Sequence, residues 1–437
     1  MEELTSIGVF LLALLVLLGS GVWVGLALLG VAYIGMELVT SRPPGDAMIT
    51  TIWTSSSSWA LTALPLFIWM GEILFRTRLS RDMFRGLSPW MARLPGGLMH
   101  TNIVGCTVFA AVSGSSAATL TTVGKILIGE LRKRAYPETM IVGTLAGAAT
   151  LGLLIPPSLT LIVYGVSINE SITRLFMAGV IPGIVLASLF MGYVAVYSVV
   201  SKQYRPQPEA VISLREKLWR SRYLIPVLLL ILLIIGSMYL GFATATEAAA
   251  FGVLGSLTLA AVQGSLSWKT FAESLMGATR ISAMIAFILA GAAFLSLSMG
   301  FTGLPRALAD LISGMELSRF ELLMALLVFY IILGCFLDGI SAVVLTMSVV
   351  EPMIRQAGID VIWFGIFIVI VIEMAQITPP VGFNLFVLQG MTQYEMNFIA
   401  RAAFPMFLIM VAMVFLLIAF PELAVWLPQN MRAGPGG

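Results

Sequence analysis

"AAVSGSSAATLTTVG" occupies residues 110–124 of a chain whose surrounding sequence is almost wholly apolar. Fifteen positions hold three serines, three threonines and two glycines. Non-helical backbone is expensive in hydrocarbon, each unsatisfied group costing several kcal/mol, so it persists only where protein, water or a ligand takes up its hydrogen bonds. The composition sets that context. The 437 residues are 59% hydrophobic and 11% charged, with a mean hydropathy of +1.00. Apolar runs of about 17–25 residues, the length that crosses a bilayer as helix, recur from end to end. The alternating pattern of a membrane β-barrel is missing. An all-α polytopic membrane protein is expected.

Working outward from the quoted stretch, apolar spans fall near 4–20, 21–39, 51–75, 138–165, 174–200, 223–241, 245–263, 270–300, 360–390 and 398–420. Two further stretches, 95–128 and 321–354, are interrupted midway by "SGSSAAT" and "LDGISA". Basic residues flank the first on both sides: Arg76, Arg78, Arg81, Arg85 and Arg93 before, Lys125, Arg132, Lys133 and Arg134 after. Because Lys and Arg near helix ends mark the cytoplasmic side, the stretch enters the membrane and turns back as a re-entrant hairpin with "SGSS" at its tip. Treating 321–354 likewise leaves about ten transmembrane helices plus two re-entrant hairpins. Of the 24 Lys and Arg, 18 then fall inside and 6 outside, with both termini outside.

The halves resemble each other. The proline pairs of "LIPPS" and "ITPPV" are offset by 223, as are Pro182 and Pro405, while Gly114-x-Ser116-Ala117 and Gly339-x-Ser341-Ala342 are offset by 225. Five crossings per half, an odd number, make the second copy upside down. An inverted repeat with interrupted helices is the signature of a secondary transporter. The expected divisions are scaffold helices 1–75, a transport part 76–200 (hairpin 95–128, broken helix 138–165), a cytoplasmic linker 201–222, scaffold helices 223–300, a second transport part 301–425 (hairpin 321–354, broken helix 360–390) and a tail 426–437.

Pro156-Pro157 and Pro379-Pro380 donate nothing to the helical ladder and free the preceding carbonyls. Carbonyls and serine hydroxyls together suit a small cation such as Na⁺, and helix N-termini at the tips suit an anion. Small-residue helix packing is the competing reading of "SGSSAAT", and the second copy with both proline doublets disfavours it. By the 225 offset Asp338 stands where Ser113 does, a carboxylate deep in the membrane and a functional candidate by default; a fixed salt bridge lacks an obvious base in the sequence. For Glu373, ion coupling, a proton site and a hydrogen-bonded structural role are all open. Glu247 closes "TATE", a capping box. His100, the single histidine, reads as an interfacial side chain, and Cys106 and Cys335 read as small core residues with neither disulfide nor zinc spacing. The net charge of +2 carries no message about partners, and nothing suggests nucleic acid. "MEELTSIGVF" lacks a basic n-region, so no cleavable signal peptide is expected.

The segments "SGSSAAT", "GLLIPPSLTLIVYG", "SITRLFMAGVIPG", "GFATATEAA", "GCFLDGISA" and "QITPPVGFNLFV" together resemble one family over nearly the whole chain: the large membrane subunit of tripartite ATP-independent periplasmic (TRAP) transporters, the DctM type. Two departures are "GELRKRAY", where the family often has Pro-Glu-Met and a basic Gly-Tyr turn, and Gly339, where proline is common. The resemblance implies a Na⁺-driven importer of organic acids, not an enzyme, in the bacterial inner membrane. It implies an elevator mechanism, at least two coupling Na⁺ ions and no organic cofactor. The implied partners are a small four-helix membrane subunit (DctQ type), expected as a separate chain, and a periplasmic substrate-binding protein (DctP type). Carried over by motif position, the first ion site uses Ser113 and Ser115 with Gly152, Ile155 and Pro157. The second uses Asp338 and Ser341 with Ala375, Thr378 and Pro380. Substrate would lie near Ser115, Ser116, Thr160 and Asn384. Three rivals are an intramembrane serine protease with His100 as base, which leaves the repeat unexplained, a Na⁺-coupled carboxylate or anion permease of a related superfamily that needs no binding protein, and a passive channel.

Overall fold

The computed structural model describes residues 12–13, 16–17, 19–201, 213–302, 314 and 317–432. The expected first span, 4–20, lies largely outside the described residues, as do residues 202–212 of the expected linker 201–222. Every regular element described is helical.

The first half opens with α1 (Val24–Val39) and α2 (Pro44–Ser56), then a 3₁₀ turn and α3 (Ala63–Phe75). The expected span 51–75 is bent by 58° between α2 and the 3₁₀–α3 unit. An amphipathic helix, α4 (Leu79–Met91), leads to the hairpin α5 (Met99–Ser113) and α6 (Ser116–Lys133), whose arms pack together. The first broken helix follows as α7 (Glu138–Ala149), a single turn α8 (Leu151–Leu154) and, past the prolines, α9 (Leu159–Ser167). Ile172–Val200 (α10) closes the half.

In the second half, α11 (Leu214–Ser221) packs on α4 and leads into α12 (Ile225–Tyr239), α13 (Ala245–Val262) and the 35-residue α14 (Trp268–Thr302). Lys217 on α11 lies 5.6 Å over the Trp90 ring, and desolvation, then Arg93, holds its ammonium below the ordinary lysine range. The second hairpin is α15 (Arg319–Gly334) and α16 (Gly339–Gln356); the second broken helix is α17 (Val361–Gln376) and α18 (Phe383–Thr392). Met396–Ala419 (α19) and Glu422–Asn430 (α20) are the last described helices, so the expected tail is helical through Asn430 and packs on α10.

Burial separates two kinds of helix. In α17 every residue from Ile362 to Gln376 is buried, as a helix apolar all round requires. The hydrophobic span over Glu138–Ser167 is likewise enclosed. Along α12 and α13, by contrast, Leu229, Leu232, Leu233 and Leu254 are exposed, an apolar surface fit for lipid rather than water. By length and composition, five described helices suffice to cross a membrane, or up to seven if each of two bent pairs is one span. Shorter apolar helices such as Val24–Val39, Met99–Ser113 and Val361–Gln376 fall below that length.

The halves interlock reciprocally. After its tip, α6 packs on α18, the half-helix beyond the second proline doublet, and α16 packs on α9, the half-helix beyond the first. Likewise α7 packs on α19, and α17 on α10. Tyr164 of α9 donates across the halves to the Val361 carbonyl at 2.7 Å.

Candidate functional site

At the first tip the chain leaves α5 through Gly114, whose φ of +62° is the left-handed conformation glycine tolerates. Ser115 caps α6, its hydroxyl accepting the Ala118 N–H at 3.4 Å. The Ser113 and Thr119 hydroxyls pair at 2.8 Å. The tip is held against the first break by backbone: the Leu159 N–H donates to the Gly114 carbonyl at 3.3 Å. A Cβ on Gly114 would meet the Pro157 carbonyl at 2.8 Å, and one on Gly152 would meet the Ser115 carbonyl and the Ser116 nitrogen at 2.7 Å.

Pro156 and Pro157 have no N–H for the Gly152 and Leu153 carbonyls. The Ser158 hydroxyl donates to Leu153, which leaves Gly152 outside the helical ladder. Because the Leu159 N–H goes to Gly114, the Ile155 carbonyl loses its helical donor as well. Ser113, Ser115, Gly152 and Pro157 are thus brought together. The Ile155 side chain turns away, against Gly183 of α10.

The second tip repeats the arrangement with different groups. Asp338 caps α16, accepting the Ile340 and Ser341 N–H groups at 3.1 and 3.2 Å and the Ser341 hydroxyl at 2.5 Å. Its tip is tied to its own break by Gln376, whose amide donates to the Leu337 carbonyl at 3.3 Å. A Cβ on Gly334 would meet that of Ala375 at 2.6 Å, and the Cys335 thiol reaches the Thr378 and Pro379 carbonyls at 3.7 and 3.5 Å. The Ala375 carbonyl accepts the Thr378 N–H at 3.1 Å, so this break exposes less bare backbone than the first. Pro380 is exposed. Both proline doublets contain a cis peptide bond.

Several expectations change. Asp338 is exposed at the tip rather than buried, and its first duty is to cap a helix. By that position it corresponds to Ser115, which caps α6, not to Ser113. The offset is then 223, the spacing of the proline doublets, and the anchored carbonyls Gly114 and Leu337 obey it too. His100 is buried rather than interfacial, its Nε2 2.7 Å from the Pro95 carbonyl. The Thr244–Glu247 capping box forms as read, and Ser318–Glu321 forms another.

Of the substrate candidates, Ser116 sits against Gly152, and Thr160 lies 3.6 Å from a Cβ placed on Gly339 of the second tip. Asn384 stands in the first turn of α18, which packs on α6. Thr160 and Asn384 are fully buried, and neither side chain finds a hydrogen-bond partner. Sequence reading did not foresee the Gln376 anchor; its place beside the proline doublet was the available signal. Among the described residues no group of three or more His, Cys, Asp or Glu could hold a metal, so any ion here would rest on carbonyls, hydroxyls and single carboxylates.

The profile of the family described as "Tripartite ATP-independent periplasmic transporter, DctM component" matches residues 10–423. The chain belongs to the DctM family. It is therefore a component of a transporter rather than an enzyme, and a multi-pass membrane protein. The C4-dicarboxylate TRAP transporter large permease protein DctM of Pseudomonas aeruginosa is 31% identical over 379 residues, covering 86% of this chain and 88% of that protein. The isethionate TRAP transporter permease protein DctMQ of Oleidesulfovibrio alaskensis is 28% identical, covering 95% of this chain and 65% of the relative. The 2,3-diketo-L-gulonate TRAP transporter large permease protein YiaN of Escherichia coli is 28% identical over 86% of this chain and 88% of its own length. In fold, this DctM chain is similar to the Alcanivorax borkumensis YdaH transporter, with a TM-score of 0.65 at 15% identity over 97% of this chain and all of the other.

Proposed function

We propose that this DctM chain is the large permease of a Na⁺-coupled importer of organic acid anions in the bacterial inner membrane. Its two halves are inverted copies of five crossings each, with two re-entrant hairpins and both termini periplasmic. The transport parts 76–200 and 301–425 move as an elevator against scaffold helices 1–75 and 223–300. The observation that carries this reading is the matched pair of tip-to-break anchors, Leu159 N–H to Gly114 and Gln376 to Leu337, which set irregular, oxygen-rich backbone at corresponding places in both halves. Irregular backbone at membrane depth belongs where a translocated ion or solute completes its bonding.

One Na⁺ lies at Ser113, Ser115 and the carbonyls of Gly152, Ile155 and Pro157; the other lies at Asp338, Ser341, Ala375, Thr378 and Pro380. The anion sits near Ser115, Ser116, Thr160 and Asn384, where two buried unpartnered side chains offer hydrogen bonds and two helix N-termini offer positive dipole ends. The fused DctMQ relative supports a DctQ-type membrane subunit as partner, and the tripartite family supports a DctP-type binding protein. The relatives' substrates make a small carboxylate or sulfonate the cargo class.

The test is uptake of labelled succinate, isethionate and 2,3-diketo-L-gulonate into proteoliposomes carrying the chain and its small subunit, with the binding protein present or omitted. Accumulation of at least one anion that needs both an inward Na⁺ gradient and the binding protein is expected. Accumulation without Na⁺ would overturn the coupling, and full uptake without the binding protein would overturn the tripartite assignment.

A further inference from the structure

Glu373 lies in the last turn of a helix enclosed along almost its whole length. On α17 it is 1% exposed, and every neighbour from Ile362 to Gln376 is buried with it. Neither carboxyl oxygen receives a hydrogen bond. Among the described residues, the side-chain group found beside it is the Ser116 hydroxyl, in the first turn beyond the opposite half's tip. No ion pair among the described residues includes it.

The internal repeat does not call for this carboxylate. At the offset of 223 its counterpart is Thr150, which is buried too and satisfies itself by donating to the Gly147 carbonyl at 2.6 Å. The second half has an acid where the first has a hydroxyl that needs nothing further. A buried carboxyl with no base beside it either binds a proton or keeps its charge where a cation is delivered to it.

The surroundings supply more oxygen. The backbone of Ser116 lies against Gly152, whose carbonyl has no helical donor, and α17 packs on the turn that carries Gly152. With the Gly152 carbonyl shared with the first tip site, a carboxylate and a hydroxyl from opposite halves form an oxygen set that a hard monovalent cation takes.

We propose that Glu373 and Ser116 hold a third Na⁺, adjoining the first tip site, that bridges α17 of the second half to the first tip. The proposal rests on the Na⁺-coupled reading above and deepens it. An anion seated at Ser115 and Ser116 would be repelled by the bare Glu373 carboxylate, so a cation between them makes anion binding and Na⁺ binding mutually dependent. The repeat alone provides two ions; this site adds one that the symmetry lacks.

The test is infrared difference spectroscopy of the full chain in lipid nanodiscs, exchanging NaCl for choline chloride at constant ionic strength. A glutamate carboxylate stretch that shifts with Na⁺ is expected, absent in Glu373→Gln and needing several-fold more Na⁺ in Ser116→Ala. A protonated-carboxyl band that Glu373→Gln removes, or a Glu373 carboxylate that ignores Na⁺, overturns the third site. Should Glu373→Gln fail to insert, Glu373→Asp serves: the shift must persist at higher Na⁺. Uptake by Ser113→Ala and Asp338→Asn reads the tip sites separately. Their loss of Na⁺ coupling beside a Na⁺-silent Glu373 sinks only this proposal, whereas Na⁺-independent uptake by the native chain sinks the functional reading.

Discussion

Gly152 and Ser116 touch backbone to backbone: a methyl group on Gly152 would stand 2.7 Å from the Ser116 Cα and nitrogen. The hairpin tip therefore rests on the broken helix with no side chain between them. Gly152→Ala must push the tip away, an overpacking penalty of about 1–3 kcal/mol. The expected result is a chain that still inserts but loses most Na⁺-dependent uptake. Wild-type uptake at equal membrane abundance would show that the contact is not needed.

Gly114 combines a φ of +62° with the Pro157 carbonyl 2.8 Å from any Cβ. A left-handed alanine costs roughly 1–2 kcal/mol before that clash is counted. Gly129, on the same hairpin, has open space around its Cβ position, and there alanine gains up to about 1 kcal/mol of helix propensity. Thermal unfolding in detergent should place Gly114→Ala below the native chain and Gly129→Ala level with it or above.

Asp338 has two duties that its substitutions separate. Asn retains the capping oxygen, whereas Ala removes it at a cost of about 0.5–2 kcal/mol. Asp338→Asn should keep near-native thermal stability while the Na⁺ concentration for half-maximal uptake rises at least several-fold. Unchanged Na⁺ dependence in a stable Asn variant would leave Asp338 a cap alone.

Tyr164 joins the halves through its hydrogen bond to Val361, at the start of the helix that carries Glu373. Tyr164→Phe removes that bond without altering ring packing and should cost about 0.5–1.5 kcal/mol. A small fall in thermal midpoint with Na⁺ affinity retained is expected; an unshifted midpoint would mean the cross-half bond contributes nothing.

Much was legible before any coordinate. Hydropathy gave the helical membrane class, the proline doublets marked both breaks, and "SGSS" and "LDGIS" marked both tips, because interrupted helices need particular residues wherever they occur. "TATE" announced its cap by spacing alone, since a capping box is a local device. His100 could not be read that way: its burial depends on the packing of α5 against distant helices.

The amino-acid sequence by itself determined where the backbone must leave the helix, for proline lacks an N–H and Gly114 alone suits its left-handed turn. Tertiary structure decided which tip meets which break, and so moved the partner of Asp338 from Ser113 to Ser115, because register across a repeat is set by helix starts in space rather than by short matching strings. It also decided the condition of Glu373. A carboxyl in an apolar run can be bonded, paired or bare, and only the packing around α17 buries it beside the Ser116 hydroxyl of the opposite half, outside any ion pair among the described residues.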